Sequence, residues 1–277
     1  RGVGLRGNVW TEPTERRVGA GSQLLKLQMD EFGSREGKAL YLFTDYGSAA
    51  YRIYQALDFH PVEERSGHMA YHADGGADFP ESYFAHGETQ PEALDWTHLP
   101  GLHPLFMEAH EGLVRCARLG LVGRWSPEWP LVRLLNEETR RQARGEAPHS
   151  QVLRNVESNT PVGLASWSTL EGSTRSSLLD LYCHPAYWSD AARLFDALEL
   201  PRSRHLVTVT EPDAEVRLAA LRELGFREKK RLSGIPVDWL ARKWARSREH
   251  ERQRSLRESP RPFGWPCEGC GGVKVEP

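Results

Sequence analysis

With 277 residues, of which 39% are hydrophobic, the chain is long enough to bury one large core or two ordinary ones. Its 36 Lys and Arg nearly balance 38 Asp and Glu, a net charge of −2, which excludes a global basic field for nucleic acid or an anionic membrane and leaves phosphate affinity to local groups. No apolar run approaches the roughly 20 residues of a membrane helix, and four cysteines, two of them isolated, read as reduced thiols of a cytoplasmic protein rather than a secreted disulfide framework. The chain opens at Arg1 without a methionine, which reads as a fragment or processed product.

In chain order, Gly7 to Thr11 has the character of a strand end. Pro13 with Glu15 to Gly21 makes a polar, glycine-bearing turn. Leu24, Leu25, Leu27 and Met29, spaced among polar residues, predict a helix with one apolar face that Gly33 ends. Ala39 to Thr44 predicts a buried strand, Ser48 to Leu57 a second helix and Met69 to His72 a further strand. From Asp74 to Gln90 the Gly, Asp, Glu, Ser and Pro content predicts a linker or surface excursion. Beyond it, Leu105 to Leu119 and Glu128 to Arg144 predict helices, and Val152 to Val156 with Val162 to Trp167 a hairpin around Asn159 and Pro161.

The first order of elements then returns. Asn8-Val9-Trp10-Thr11-Glu12-Pro13 lines up with Asp180-Leu181-Tyr182-Cys183-His184-Pro185 at an offset of 172 positions. Leu40 to Thr44 answers Val207 to Glu211, and Leu57-Asp58-Phe59 answers Leu224-Gly225-Phe226, both at an offset of 167. Three matches in order with nearly constant spacing imply an internal duplication. The expected organisation is residues 1–75 as a first half lacking its leading elements, 76–91 as linker, and 92–241 as a second half. Residues 242–277, dense in Arg, Glu and Ser and then in Pro, Gly and Cys, form a tail without a core. Cys267-x-x-Cys270 in that tail has the spacing of half a zinc site, but no second ligand pair is nearby, so no metal is expected.

The segment Arg16-Arg17-Val18-Gly19-Ala20-Gly21-Ser22 lies between a strand and a helix. There the orphan amides of the first turn and the helix dipole favour an anion. Gly19 and Gly21 allow close backbone approach, and Arg16 and Arg17 supply charge and forked donors. The plain alternative is a surface turn. A dinucleotide fold competes because Asp45 ends the next strand, but Leu24 stands where the third glycine of that fingerprint belongs and Pro13 to Val18 separates strand from glycines. Glu12 and Asp45, at strand ends, read as solvated carboxylates rather than a named base. Cys183 has no His-and-acid partners in sequence and reads as a strand residue. Trp96, Trp125, Trp129 and Trp167 suit core or interface packing more than an acceptor pocket.

Val9-Trp10-Thr11-Glu12-Pro13 with Arg16-x-x-Gly19-x-Gly21, followed by Ala50-Tyr51-Arg52-Ile53-Tyr54-Gln55-Ala56-Leu57-Asp58-Phe59, resembles the GNAT N-acetyltransferase superfamily. The resemblance implies a fold of two mixed-sheet α/β halves. It implies that the strand Val9 to Thr11 pairs with the pantetheine arm of acetyl-CoA or a related acyl-CoA, and that Arg16, Arg17, Val18, Gly19, Ala20, Gly21 and Ser22 take the pyrophosphate. Tyr54 would then lie by the thioester sulfur as the catalytic proton donor, with Tyr51 in packing or coenzyme contact. Asp58 stands where the family has glycine, and Gly47 where asparagine is frequent. In the second half Trp188 to Arg193 replaces the glycine turn and Leu221 stands where Tyr54 stands, which implies a degenerate copy. The expected reaction is acyl transfer from acyl-CoA to an amine-bearing small molecule or peptide, without metal, nucleic acid or membrane. A non-catalytic acyl-CoA-binding or regulatory module is the other reading.

Overall fold

The computed structural model describes residues 2–7, 9–12, 14, 18–170, 173, 175–202 and 205–229, all within one compact unit, Arg1–Gly234. Arg16, Arg17, Asn8 and the whole tail with Cys267 and Cys270 lie outside the described residues.

The first third forms a four-stranded mixed sheet. Strand β1 (Val3–Leu5) runs parallel to β2 (Ala39–Phe43), joined through helix α1 (Ala20–Ser34). Helix α2 (Ala49–Gln55) follows, its first turn capped by the Ser48 hydroxyl accepting from the Tyr51 amide at 3.0 Å. A short β3 (His60–Pro61) and β4 (His68–His72) complete the sheet in the order β1-β2-β4-β3. Alternation along β2 divides its faces. Leu40 and Leu42 pack with Leu25, Tyr51, Tyr54 and Phe59 beneath the two helices, while Ala39 and Tyr41 enter the larger core of the molecule.

The second sheet has five strands in the order β11-β10-β9-β8-β5. They are β5 (Thr89–Ala93), β8 (Ser150–Asn155), β9 (Pro161–Thr169), β10 (Ser176–Cys183) and β11 (His205–Val207), antiparallel except for the β10–β11 pair. A two-stranded ribbon, β6 (Val114–Cys116) with β7 (Leu121–Val122), precedes helix α6 (Glu128–Ala143). After β10 come a 3-10 helix at Pro185–Asp190, α7 (Ala191–Asp196), β11 and α8 (Glu215–Glu223). The mixed α/β class and the hairpin of β8 and β9 agree with the sequence.

Four segments differ from expectation. The strand read at Gly7 to Thr11 lies earlier, as β1 (Val3–Leu5), because it is Val3 to Leu5 that pair with β2, and Gly7 and Val9 to Thr11 are outside the sheet. The stretch 76–91, read as a linker, carries helix α3 (Phe79–Tyr83) and the start of β5, with Phe79, Tyr83 and Phe84 buried in the shared core. The predicted helix from Leu105 to Leu119 is cut short: α4 (His98–Gly101) precedes it, α5 (His103–Met107) covers only its start, and Gly112, at φ +98°, leads the chain into β6. Tertiary pairing with β7 overrides the helical periodicity there. On α1 only Leu25 is buried, whereas Leu24 and Leu27 face solvent at 52% and 65% exposure. The helix is too short of neighbours to bury both sides of the predicted stripe.

The halves share one core. The Tyr41 hydroxyl from β2 donates to the buried Glu108 carboxylate at 2.6 Å, and His72 from β4 meets the same oxygen at 2.9 Å. Burial pushes Glu108 up, but its bonds to His72 and Tyr41 and the nearby Arg124 outweigh this and hold it below the ordinary carboxylate range. The Ser126 amide donates to His68 Nδ1 at 3.0 Å, and the Arg124 amide to Glu63 at 3.0 Å.

Candidate functional site at the start of helix α1

Helix α1 opens on Gly19, whose φ of +87° is left-handed and suits only glycine without strain. Gly19 as the cap residue brings no side-chain hydrogen bond to the first turn, which carries the amides of Ala20, Gly21 and Ser22. A Cβ on Gly19 would meet nothing within 4 Å, and one on Gly21 would make ordinary contact with Thr11 Oγ1 at 3.5 Å. Gly19 is therefore required by conformation, and Gly21 leaves room beside the turn. Val9, Trp10 and Val18 are 42%, 69% and 66% exposed. A helix N-terminus opened by a glycine is a position whose amides and dipole favour an anion.

Tyr54 and Tyr51 both lie on α2 and are buried against the sheet. Tyr54 packs edge-on to Phe59 at 5.6 Å, and Tyr51 edge-on to Tyr46 at 5.1 Å. Burial raises the Tyr54 pKa, and the positive charge of Arg6 works against that rise. The phenol is thus protonated across the neutral range. Arg6, just past β1, is 9% exposed; its Nη2 donates to Gln28 Oε1 on α1 at 2.7 Å, and its Nη1 has no hydrogen-bond partner. The guanidinium is thus hydrogen-bonded to α1 and within electrostatic reach of the tyrosine on α2.

Arg6 and Gln28 escaped the sequence reading, and so did Glu128. A Cβ on Gly7 would come within 3.4 Å of Glu128 Oε1, so this carboxylate, raised by burial, sits beside the exit of β1. Arg6 could have been marked as a charge inside a strand end; Glu128, more than a hundred residues away, gives no local signal. Glu12 and Asp45 are exposed. Trp96 and Trp129 are exposed too, Trp125 stacks on His68 at 5.1 Å, and Trp167 donates its Nε1–H to the Glu199 carbonyl at 2.7 Å.

No protein-family model and no curated protein matches the chain. Solved structures of similar shape include an aminoglycoside N-acetyltransferase in complex with coenzyme A, at 16% identity over 55% of this chain and 97% of that one, with a TM-score of 0.36. An acetyltransferase from Trypanosoma brucei matches at 17% identity over 54% and 99%, TM-score 0.36, and a GNAT-family acetyltransferase from Bacillus anthracis at 13% over 55% and 88%, TM-score 0.37. These are likenesses of general shape, and the functional reading rests on the chain's own residues.

The turn after β10, which also lies between the two strands of a parallel pair, has another character. His184 stacks on Phe84 at 4.1 Å, its Nδ1 accepts the Ala186 amide at 3.3 Å, and Tyr187 and Trp188 are buried in the 3-10 helix. Asp190 then stands at the start of α7 and accepts from Thr89 Oγ1 at 2.8 Å. Aromatic filling and a carboxylate at the helix start leave no place for a phosphate. Leu221 is buried on α8. Cys183 is buried at the end of β10, which pushes its thiol up to about 12 and disqualifies it as a nucleophile at neutral pH.

Proposed function

We propose that the protein is an acyl-CoA-dependent N-acyltransferase whose first half binds the coenzyme at Gly19 to Ser22, with the second half a degenerate copy. The observation that carries the reading is the glycine-opened start of α1, which has no side-chain cap from Gly19, in the same small sheet unit as a buried neutral phenol on α2. The amides of Ala20, Gly21 and Ser22 would hold the pyrophosphate, with Val9, Trp10 and Thr11 along the pantetheine. Arg16 and Arg17 belong to this proposal through the sequence alone.

In the reaction the amine nitrogen adds to the thioester carbonyl and the tetrahedral intermediate collapses, breaking the carbon–sulfur bond. The Tyr54 O–H gives its proton to the departing thiolate, and the amine's surplus proton returns through solvent to the tyrosinate. Burial, by raising the phenol above its ordinary value near 10, keeps it protonated until the thiolate departs; transfer to a thiolate of conjugate pKa near 8.5 runs uphill and therefore needs the two to be in contact and shielded from water. The duplication reading is supported by the matching order of β1, α1, β2 and α2 with β10, α7, β11 and α8, each opening on a parallel strand pair.

Calorimetric titration with acetyl-CoA, followed by thiol release in the presence of candidate amines, tests the proposal. Binding with release is expected. Binding without release across amines would favour the non-catalytic acyl-CoA module, and no binding would remove both.

A further inference from the structure

The parallel strands of the first sheet pair from Val3 to Leu5, and their ladder ends where the Arg6 amide donates to the Tyr41 carbonyl at 2.9 Å. Beyond that rung they part, since β2 continues to Phe43 while Gly7 lies outside the sheet. Ligands of open α/β sheets sit outside the carboxyl ends of parallel strands, where such partings expose backbone. Arg6 and Gly7 face different walls of this one. The Arg6 side chain reaches Gln28 on α1 and acts on Tyr54 of α2, whereas a Cβ on Gly7 would lie 3.4 Å from Glu128 Oε1 at the start of α6.

The segment that carries Glu128 comes from the second half and is fastened to this end of the first sheet. The Arg124 amide donates to Glu63 at 3.0 Å, the Ser126 amide donates to His68 Nδ1 at 3.0 Å, and the Trp125 ring stacks on His68 at 5.1 Å. His68 is paired across the ladder with Phe43, the last residue of β2, and their rings lie 4.6 Å apart. Two residues past Ser126, the chain presents the Glu128 carboxylate to Gly7. The other ionic groups of the junction are engaged elsewhere. Arg124 donates its Nε–H to the Met107 carbonyl at 2.8 Å and its charge bears on buried Glu108, Glu63 takes the Arg124 amide, and Glu64 pairs with Arg65 in solvent. Burial alone pushes the Glu128 carboxyl up, with no neighbouring cation drawing it back. A half-buried carboxylate in that state gains more from an arriving cation than a solvated one does.

The coenzyme pose proposed above gives the place of Glu128 its meaning. With the pyrophosphate at Ala20 to Ser22 and the pantetheine beside Thr11, Trp10 and Val9, the reactive end of the arm arrives at Gly7, between the wall that bears Tyr54 and the wall that bears Glu128. Resting on that reading, we propose that Glu128 is the catalytic residue that receives the acceptor, and that the acceptor is an aliphatic amine arriving as its ammonium ion. The carboxylate takes one ammonium proton as the nitrogen adds to the thioester carbonyl. The carbon–sulfur bond then breaks, the thiolate takes the Tyr54 proton, the second nitrogen proton returns through solvent to the tyrosinate, and Glu128 releases its own to water. The second half thereby completes the site of the first.

The test uses the whole protein with 13C at the glutamate carboxyls, saturated with coenzyme A at about pH 7 and constant ionic strength, and butylamine, cationic there, as the probe. The Glu128 resonance, identified by its loss in Glu128→Gln, shifts saturably with butylamine and not with butanol. In turnover Glu128→Gln raises KM for butylamine about 10- to 100-fold, the worth of one hydrogen bond to a charged group. It leaves kcat/KM for aniline, neutral at this pH, and the calorimetric affinity for coenzyme A unchanged. Its urea midpoint is equal to or above that of the wild type, because a half-buried charge is removed; a residue that merely held the loop would lower it. Glu128→Asp keeps the carboxylate and recovers part of the butylamine affinity, and it identifies the resonance if Glu128→Gln fails to fold. Coenzyme A bound while Glu128 ignores butylamine, or equal losses for butylamine and aniline, overturns this inference and spares the acyltransferase reading. No binding of coenzyme A overturns both.

Discussion

The turn before α1 and the turn before α7 follow parallel-paired strands in the same relative position, yet they are built oppositely. The first opens on a left-handed glycine that brings no side-chain cap, and Val9, Trp10 and Val18 are exposed. The second is closed by Tyr187, Trp188 and the His184–Phe84 stack, with Asp190 at the helix start. The same local topology can present an anion site or fill it, and the side chains of a few turn residues choose between the two.

The largest way to break the comparison is to separate the halves. Residues 1–75 expressed alone should give no cooperative unfolding transition, since Ala39 and Tyr41 would lose their covering core and the bonds to Glu108, Ser126 and Arg124 would be absent. A sharp calorimetric transition from that fragment would make the first half an independent domain.

Tyr54→Phe comes next. It keeps the ring that packs on Phe59 and removes the proposed proton, so turnover should fall by about 10²- to 10⁴-fold with acyl-CoA affinity little changed. Tyr51→Phe is the control and should retain turnover. Equal rates for Tyr54→Phe and wild type, where chemistry limits the rate, would reduce Tyr54 to packing.

Gly21→Val should weaken coenzyme A binding by about 10- to 100-fold, because the added methyls fill the space beside the turn without forcing the backbone, the Cβ itself meeting only Thr11 at an ordinary distance. Trp188→Phe in the closed turn should leave that affinity unchanged. Calorimetry on the two variants reads the asymmetry directly.

The smallest effect concerns Asp180, buried on β10. Burial raises its pKa to about 6 although it accepts the amides of Arg118 at 3.1 Å and Leu119 at 3.3 Å. A folded-state pKa above the unfolded value means that its contribution is fully present below about pH 4 and is lost as pH rises through about 6. From pH 5 to pH 7 that loss is about 1 kcal/mol. Asp180→Asn should flatten the decline in urea midpoints over this range. Glu137, held near 2 chiefly by His149, acts in the opposite sense, its contribution being lost as pH falls from about 4.5 toward 2.

Much of the element order was legible. The helices α1, α2 and α6, the strands β2, β4, β8 and β9, and the glycine-bearing turn follow from periodicity and punctuation, because those signals repeat within a few residues. The buried segment at Phe79 to Phe84 was not legible, since polar neighbours conceal aromatics that only the assembled core covers. The false helix at Leu105 to Leu119 arose because an apolar run reads alike as helix or strand until a partner strand appears.

Within the candidate site, sequence alone determined Gly19, Gly21 and Tyr54, whose meaning lies in local backbone freedom and position on a helix. The tertiary structure alone decided that Arg6 joins Gln28 near Tyr54, that Glu108 meets Tyr41 and His72, and that Glu128 meets Gly7. The last pair is separated by more than a hundred residues of chain. Only the closing of the two sheets on one core takes them out of water together, and that shared burial gives their charges consequence.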